Sequence, residues 1–277
     1  MVAEYVAQRR TAKGRTGKPL AIASLNRELE VLRRGLRLAV EWKVLQRSPK
    51  ISKLRGERKR DRILAHEEEQ SYLSAACPLL RDIATVLIDT GLQPGNVSVC
   101  LGHHVQFSPA GAGAKYGFVH IPAGKTDFAI RNVPLTARAK ALLEVRYEQQ
   151  GRPVEGWVFP APTKTGRVQS MQSQPRRALK RSGVNRFEVY CFRHTALTRL
   201  GEAGADAFAI QRIAGHSSVL ISQRYQHPTP ERIESAFTAL ESYNRRKESE
   251  LEEQGQATRS IVPTISTTVA FKAEDSQ

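Results

Sequence analysis

Three residues in the last third of the chain have side chains that could together carry out phosphoryl transfer. Arg193 precedes His216 by 23 positions, and His216 precedes Tyr225 by nine. A guanidinium can grip two phosphate oxygens, an imidazole can donate a further hydrogen bond or accept a proton, and a phenolic oxygen can attack phosphorus. Each of these residue types, taken alone, is more often structural. Their order and spacing are what indicate an active site.

The segments around these residues resemble the catalytic half of the tyrosine recombinases, the phage integrase family. The resemblance rests on three motifs that occur in the same order as in the family: Tyr190-x-x-Arg193-His194, Gly215-His216-Ser217 and Arg224-Tyr225. The resemblance implies that Tyr225 attacks a DNA phosphodiester and forms a covalent 3′-phosphotyrosyl intermediate. That intermediate conserves the bond energy for rejoining without ATP. The resemblance also implies that no metal and no cofactor take part.

Two residues that flank Arg193 are assigned different roles. Tyr190 stands where most relatives have a histidine, and its hydroxyl can still donate a hydrogen bond to phosphate, so it belongs to the predicted catalytic set. His194 is predicted to be structural, because consecutive residues of a helix do not face each other.

A lysine between two short predicted strands extends the resemblance. Gly124-Lys125-Thr126, followed by Arg131-Asn132-Val133-Pro134-Leu135, resembles a hairpin of the family in which the lysine protonates the leaving hydroxyl. The resemblance therefore implies that Lys125 is the general acid. The alternative is a solvated hairpin lysine. A phosphate-binding P-loop is excluded, because the glycine spacing that precedes the lysine in that motif is absent.

One position departs from the family pattern. Relatives carry their first catalytic arginine in a Thr-Gly-Leu-Arg turn, with an acidic residue three positions later, whereas this chain has Gln93 and Asn96 at these places. An amide can donate a hydrogen bond to phosphate but carries no charge. Loss of a charge-assisted contact would lower the rate by about 10²–10⁴-fold. Gln93 is included in the predicted site as the position of the missing arginine.

The charge balance indicates a polyanionic partner. Lys and Arg number 43 against 27 for Asp and Glu, which gives a formal net charge of +16. Cations that neutralise phosphates release condensed counterions, so such a chain favours nucleic acid. Charge alone would equally suit an RNA-binding or ribosomal protein, and the motifs favour double-stranded DNA. The sequence shows neither a membrane span nor a signal peptide, which predicts a cytoplasmic protein without a membrane partner.

Apolar spacing and composition divide the chain into four regions. Residues 1–46 resemble part of the family's helical core-binding domain, with an amphipathic helix over 24–45 that Ser24 is predicted to cap. Residues 47–62 are predicted to be a basic interdomain linker, 63–247 the catalytic domain, and 248–277 a polar, disordered tail. The predicted fold class is mainly α with a small antiparallel β-sheet (α+β). The basic residues predicted to contact DNA are Arg33, Arg34, Arg37, Arg55, Arg58, Lys59 and Arg60.

Three functions remain compatible with these patterns. The first is a site-specific recombinase or integrase, which the resemblance implies would act as a homotetramer on two DNA duplexes. The second is a DNA-binding protein that keeps the fold but does not cleave strands, which Gln93 and the short N-terminal region favour. The third is a type IB topoisomerase, which would use the same covalent chemistry without a partner duplex.

Overall fold

The computed structural model describes residues 2–14, 17–57, 62–109, 114–124, 126–152, 154–169, 171, 173–226 and 229–261. The chain forms two compact units, which divide between Ala65 and His66. The described residues are mainly helical, and their strands form a small antiparallel sheet, so the predicted fold class is confirmed. None of the described helices combines the length and the apolar composition that a bilayer crossing requires.

The first unit contains a pair of helices. Helix α1 (Val2–Thr11) contacts helix α2 (Ile22–Glu41), and the Arg9 Nε donates to the Glu28 carboxylate at 2.9 Å. Helix α2 begins before Ser24, and its N-cap residue is an alanine whose side chain cannot accept a hydrogen bond. The prediction that Ser24 caps this helix is therefore wrong.

The packed face of α2 differs from the predicted one in its second half. Leu29 is buried, whereas Leu32 is exposed. Arg33 is half-buried, because a residue four positions after Leu29 shares its helix face. Arg34 and Arg37 are exposed, so their guanidinium groups are accessible to a phosphate backbone.

Part of the segment predicted to be a linker packs onto α2. The Asn26 side chain accepts a hydrogen bond from the Leu54 backbone N–H at 2.7 Å and donates to the Leu54 carbonyl at 3.1 Å. Ile51 is buried and Arg55 is exposed. The Asn26 amide thus pairs with both the N–H and the C=O of Leu54, as the backbone of a neighbouring β-strand would, and holds this residue in place. Three other residues predicted to contact DNA lie outside the described residues, namely Arg58, Lys59 and Arg60.

Helices build most of the second unit. Their bounds are α3 (His66–Ala75), α4 (Pro78–Thr90), α5 (Pro94–Ser98), α6 (Ala137–Gln149), α7 (Ser173–Ser182), α8 (Tyr190–Glu202), α9 (Ala207–Ala214), α10 (Val219–Gln223) and α11 (Pro230–Ile261). Helices α4 and α8 pack against each other at the core. Leu80, Ile83 and Leu87 recur on α4 at spacings of three and four and are buried. This spacing gives α4 one continuous apolar face, and α8 contributes the buried Phe192 and Leu197.

The described strands of the second unit form a sheet in the order β1-β2-β3. Strand β1 (Val105–Gln106) pairs antiparallel with β2 (Phe118–Ile121), which pairs antiparallel with β3 (Arg131–Pro134). Side chains alternate along a strand, so Arg131 shares the buried face of β3 with Val133. The strand period thus turns a guanidinium toward the protein interior.

Helix α11 continues into the region predicted to be a polar tail. It reaches Ile261, and the Lys247 ammonium pairs with the Glu250 carboxylate one helical turn away, at 2.6 Å. Pairs of opposite charge at this spacing stabilise a helix that has little apolar cover. The helix therefore extends past 248, and residues 262–277 lie outside the described residues.

Candidate active site

Arg193 is fully buried on α8 and holds two helix ends together. Its Nη1 donates to the Gly91 carbonyl at 2.7 Å, and its Nη2 donates to the Ala214 carbonyl at 2.7 Å. Gly91 caps α4 in the left-handed conformation, with φ 65°, and Ala214 is the last residue of α9. Carbonyls at a helix C-terminus carry partial negative charge, so both helix ends stabilise the buried cation.

His216 follows α9 and accepts a hydrogen bond from Arg193. The Arg193 Nη2 lies 3.1 Å from Nε2 of His216, and Nδ1 of His216 lies 2.8 Å from the Ser222 Oγ. Because a guanidinium can only donate, Nε2 is the acceptor, and the neutral ring carries its proton on Nδ1. Burial, and then the charges of Arg193 and Arg131, lower the pKa of His216 to about 4. His216 is therefore neutral at pH 7.

Tyr225 follows α10 and is 5% exposed. Its ring stacks on the His216 imidazole with a centroid distance of 6.2 Å and an interplanar angle of 11°. Its backbone carbonyl approaches α8 so closely that a Cβ at position 201 would overlap it. Gly201 therefore allows the backbone of Tyr225 to lie directly against α8.

The hydroxyl of Tyr225 is hydrogen-bonded to His194, for which the helical spacing predicted a structural role. The Oη atom lies 2.9 Å from Nδ1 of His194. Consecutive residues of α8 do point apart, but α10 brings Tyr225 across the face that His194 occupies. Helical geometry within α8 gives no signal for this contact, because its partner lies 31 residues away.

Tyr190 is the first residue of α8 and lies at the edge of the same cluster. Its ring packs edge-on against the His194 imidazole at a centroid distance of 5.0 Å. The Arg193 guanidinium carbon lies 5.9 Å from the centre of the Tyr190 ring. One helix thus carries three side chains of the candidate site.

Gln93 lies next to the turn that Arg193 binds. It is the N-cap residue of α5, two positions after Gly91, and its side chain is exposed. Lys125, the predicted general acid, lies outside the described residues. In the sequence it lies between β2 and β3, with Gly124 and Thr126 on either side.

Residues 113–232 match the model of the phage integrase family. The chain is 26% identical over 238 residues to the integrase of Salmonella phage P22, an alignment that covers 81% of this chain and 59% of that protein. It is 30% identical over 143 residues to tyrosine recombinase XerD of Caulobacter vibrioides, which covers 48% of this chain and 45% of XerD. Over residues 113–232 the chain is therefore similar to the phage integrase family, and its curated relatives include tyrosine recombinases.

A solved structure has a similar fold. The Tn1549 transposon integrase, in complex with transposon right end DNA, matches 86% of this chain and 83% of its own with a TM-score of 0.65. Sequence identity is 18%, so this likeness concerns the fold alone. The family match includes Arg193, His216 and Tyr225, whereas Gln93 precedes it. The chain spans 59% of the P22 integrase.

A second buried guanidinium lies within the part of the chain that matches the tyrosine recombinases. Arg131 donates from Nε to the Ile213 carbonyl at 2.7 Å and from Nη1 to the Ala129 carbonyl at 2.8 Å. Gly215 has φ 68°, and a Cβ there would lie 2.7 Å from Nη1 of Arg131. The guanidinium therefore packs against the backbone just before His216. The sequence motifs gave Arg131 no role, although strand alternation with Val133 predicts an inward side chain.

Proposed function

We propose that this chain is a site-specific DNA recombinase or integrase that cleaves and rejoins strands through a covalent 3′-phosphotyrosyl intermediate. One observation carries the proposal, a continuous set of contacts from the buried cation to the nucleophile. Arg193 donates a hydrogen bond to His216, and the His216 ring stacks on the Tyr225 ring. The Tyr225 hydroxyl in turn is hydrogen-bonded to the His194 imidazole. A scissile phosphate bound here would meet a fixed cation and an oriented phenolic oxygen together.

The proposed reaction exchanges one phosphodiester bond for another. The Tyr225 oxygen bonds to phosphorus while the bond from phosphorus to the 5′ oxygen breaks. His194 accepts the phenolic proton, because its Nδ1 is within hydrogen-bond distance of that hydroxyl. Arg193 binds nonbridging oxygens, and Lys125 protonates the leaving 5′ oxygen, a role that rests on the family resemblance. Attack by a 5′ hydroxyl on the phosphotyrosine reverses these steps and rejoins the strand.

Double-stranded DNA is the proposed substrate. The chain carries a formal net charge of +16, and Arg34, Arg37 and Arg55 are exposed in the first unit. The Tn1549 integrase, which shares the fold, is seen in complex with transposon DNA. Assembly of four copies on two duplexes is a proposal that rests on the family resemblance. Binding that weakens steeply with salt would support the contribution of these cations.

Covalent capture on randomised DNA tests the proposal and selects the target site in the same experiment. The full chain is incubated with a library of nicked duplexes of randomised sequence, in which the cleaved strand loses the fragment needed for rejoining. We expect DNA that stays attached to protein under denaturing conditions and is enriched in one sequence. Tyr225→Phe should remove the adduct while DNA binding persists. A wild-type chain that yields no adduct from the library would contradict the proposal.

A second candidate function is DNA binding without strand cleavage. The exposed, neutral Gln93 favours it, because the position lacks the charge that the family resemblance leads us to expect. Salt-sensitive DNA binding without any adduct would support this candidate. A type IB topoisomerase would instead relax a supercoiled plasmid without a second duplex, so a relaxation assay distinguishes that activity from recombination.

A further inference from the structure

Helix α9 ends in two consecutive carbonyl groups that bind two different buried guanidinium groups. Arg131 donates to the Ile213 carbonyl and Arg193 to the Ala214 carbonyl, each at 2.7 Å. The partial negative charge at a helix C-terminus stabilises two cations that would otherwise repel each other. His216 follows Ala214 after a single glycine. The geometry therefore brings both positive charges to the residue that stacks on the nucleophile.

Each of these guanidinium groups also keeps a buried donor that the protein does not use. Within the part of the chain that the structure describes, Nη2 of Arg131 and Nε of Arg193 have no hydrogen-bond partner. Burial, and then the charge of Arg193, lower the pKa of Arg131 to about 10, so Arg131 remains charged at pH 7. Buried, unpaired donors on mutually repelling cations are unfavourable until an anion approaches them. The pair is thus arranged to stabilise incoming negative charge.

We propose that Arg131 is a positioning residue for DNA strand cleavage and supplies, beside His216, the fixed positive charge that Gln93 does not. This inference rests on the proposed strand-transfer function. Arg131 acts through the end of α9, since its guanidinium packs against Gly215 and binds the Ile213 carbonyl. Because it lies on β3, it also ties the β2–β3 hairpin to the segment that contains His216.

A purely structural clamp between β3 and α9 would give different results from a charge that acts on the site. Arg131→Lys keeps the positive charge but loses the paired contacts to Ile213 and Ala129. Arg131→Met keeps much of the volume and removes the charge. If Arg131 acts only as a clamp, both variants should lose similar amounts of adduct formation. If it acts through its charge, Arg131→Lys should retain most of the wild-type adduct formation. Thermal unfolding of both variants shows whether each keeps the fold.

The first test follows the protonation of His216 and needs no DNA cleavage. Among the described residues, the charged and titratable groups that face this ring are Arg193 and His194 of α8, Arg131 of β3, and Arg224 and Tyr225 after α10. NMR of the His216 imidazole in the full chain should show protonation at higher pH in Arg131→Met than in the wild type. Arg131→Lys should titrate close to the wild type. Titration that is unchanged in Arg131→Met would overturn the inference, whether or not the protein cleaves DNA.

The second test measures the rate of covalent adduct formation in a double-mutant cycle of Arg131→Met and Gln93→Arg. We expect Arg131→Met to slow adduct formation by about tenfold or more. If positions 93 and 131 supply the same charge, Gln93→Arg should accelerate the Arg131→Met variant by a larger factor than it accelerates the wild type. Equal factors in the two backgrounds, or equal losses in Arg131→Lys and Arg131→Met, would overturn the inference. A wild-type chain that forms no adduct would instead contradict the proposed function itself.

Discussion

The two sides of the candidate site differ in how strongly the fold determines them. One side contains Tyr225, the proposed nucleophile, and is called the nucleophile side. Arg193 and Tyr225 are buried there, and each makes contacts with other elements of the second unit. The other side is the turn between α4 and α5, called the turn side, where Gln93 is exposed at the N-cap of the five-residue helix α5. A group that is held in place before substrate binds loses little freedom when the reaction occurs. Preorganisation is therefore concentrated on the nucleophile side.

This difference explains which changes the molecule can accommodate. A substitution of Arg193 leaves the Gly91 and Ala214 carbonyls without a charged donor, so it affects folding as well as chemistry. A substitution of Gln93 alters an exposed side chain and affects chemistry alone. The departure from the family pattern thus lies at a position where the fold imposes little constraint.

The largest expected effect comes from Arg193→Lys. An ammonium group cannot bridge both carbonyls and grip a phosphate as a planar guanidinium does. We expect adduct formation to fall by about 10³-fold and the free energy of unfolding to fall by about 3 kcal/mol. Capture on nicked duplexes and urea denaturation measure the two effects. Arg34→Lys, an exposed change in the first unit, is the matched control, and equal behaviour of the two variants would refute the importance of the buried bridge.

His194→Phe tests whether His194 acts on the nucleophile. Loss of the acceptor for the phenolic proton should slow cleavage by about 10²-fold. A substrate with sulfur in place of the bridging 5′ oxygen has a leaving group that needs no protonation. This substrate should restore cleavage to Lys125→Ala but not to His194→Phe. Restoration of both variants would show that His194 does not act on the nucleophile.

The sequence predicted the nucleophile side better than the contacts that hold it. Motif order placed Arg193, His216 and Tyr225 in one site, and the structure brings these three side chains together. It did not predict the hydrogen bond between His194 and Tyr225, because Tyr225 follows α10 and lies 31 residues away along the chain. It did not predict the hydrogen bond from Arg131 to the Ile213 carbonyl, because strand alternation predicts burial but not which helix end the buried group meets. Residues far apart in sequence leave no periodic signal of their contact.

The fold shows the same division between local and long-range information. Helices such as α4 follow from apolar spacing, which is a local property of the chain. The packing of residue 54 onto α2 depends on the Asn26 amide, and no local pattern marks that amide as a backbone partner. The continuation of α11 beyond 248, where Lys247 and Glu250 form an ion pair, is likewise not revealed by a polar composition alone.

A smaller effect is expected in how stability depends on pH. The folded-state pKa of His216, about 4, lies below the ordinary value for histidine, so the folded protein favours the neutral ring. Below about pH 6.5 the unfolded chain binds a proton at this residue that the folded chain does not. Stability should therefore fall as pH drops toward 4, by at most about 3 kcal/mol from this residue. Urea denaturation between pH 7 and 4.5 should show a flatter dependence in His216→Gln, and identical slopes would contradict the buried, neutral ring.

The smallest expected effect comes from adding the missing arginine on the turn side. Gln93→Arg should speed adduct formation by only about two- to fivefold, less than the 10²–10⁴-fold that one missing charge would suggest. The reason is that Arg131 and Arg193 already place two positive charges beside His216, and a third would meet their repulsion. Stability should stay within about 0.5 kcal/mol, because the side chain is exposed. Gln93→Met is the uncharged control. A rise of a hundredfold or more in Gln93→Arg would show that the turn side limits the reaction, and that preorganisation of the nucleophile side does not compensate for its neutrality.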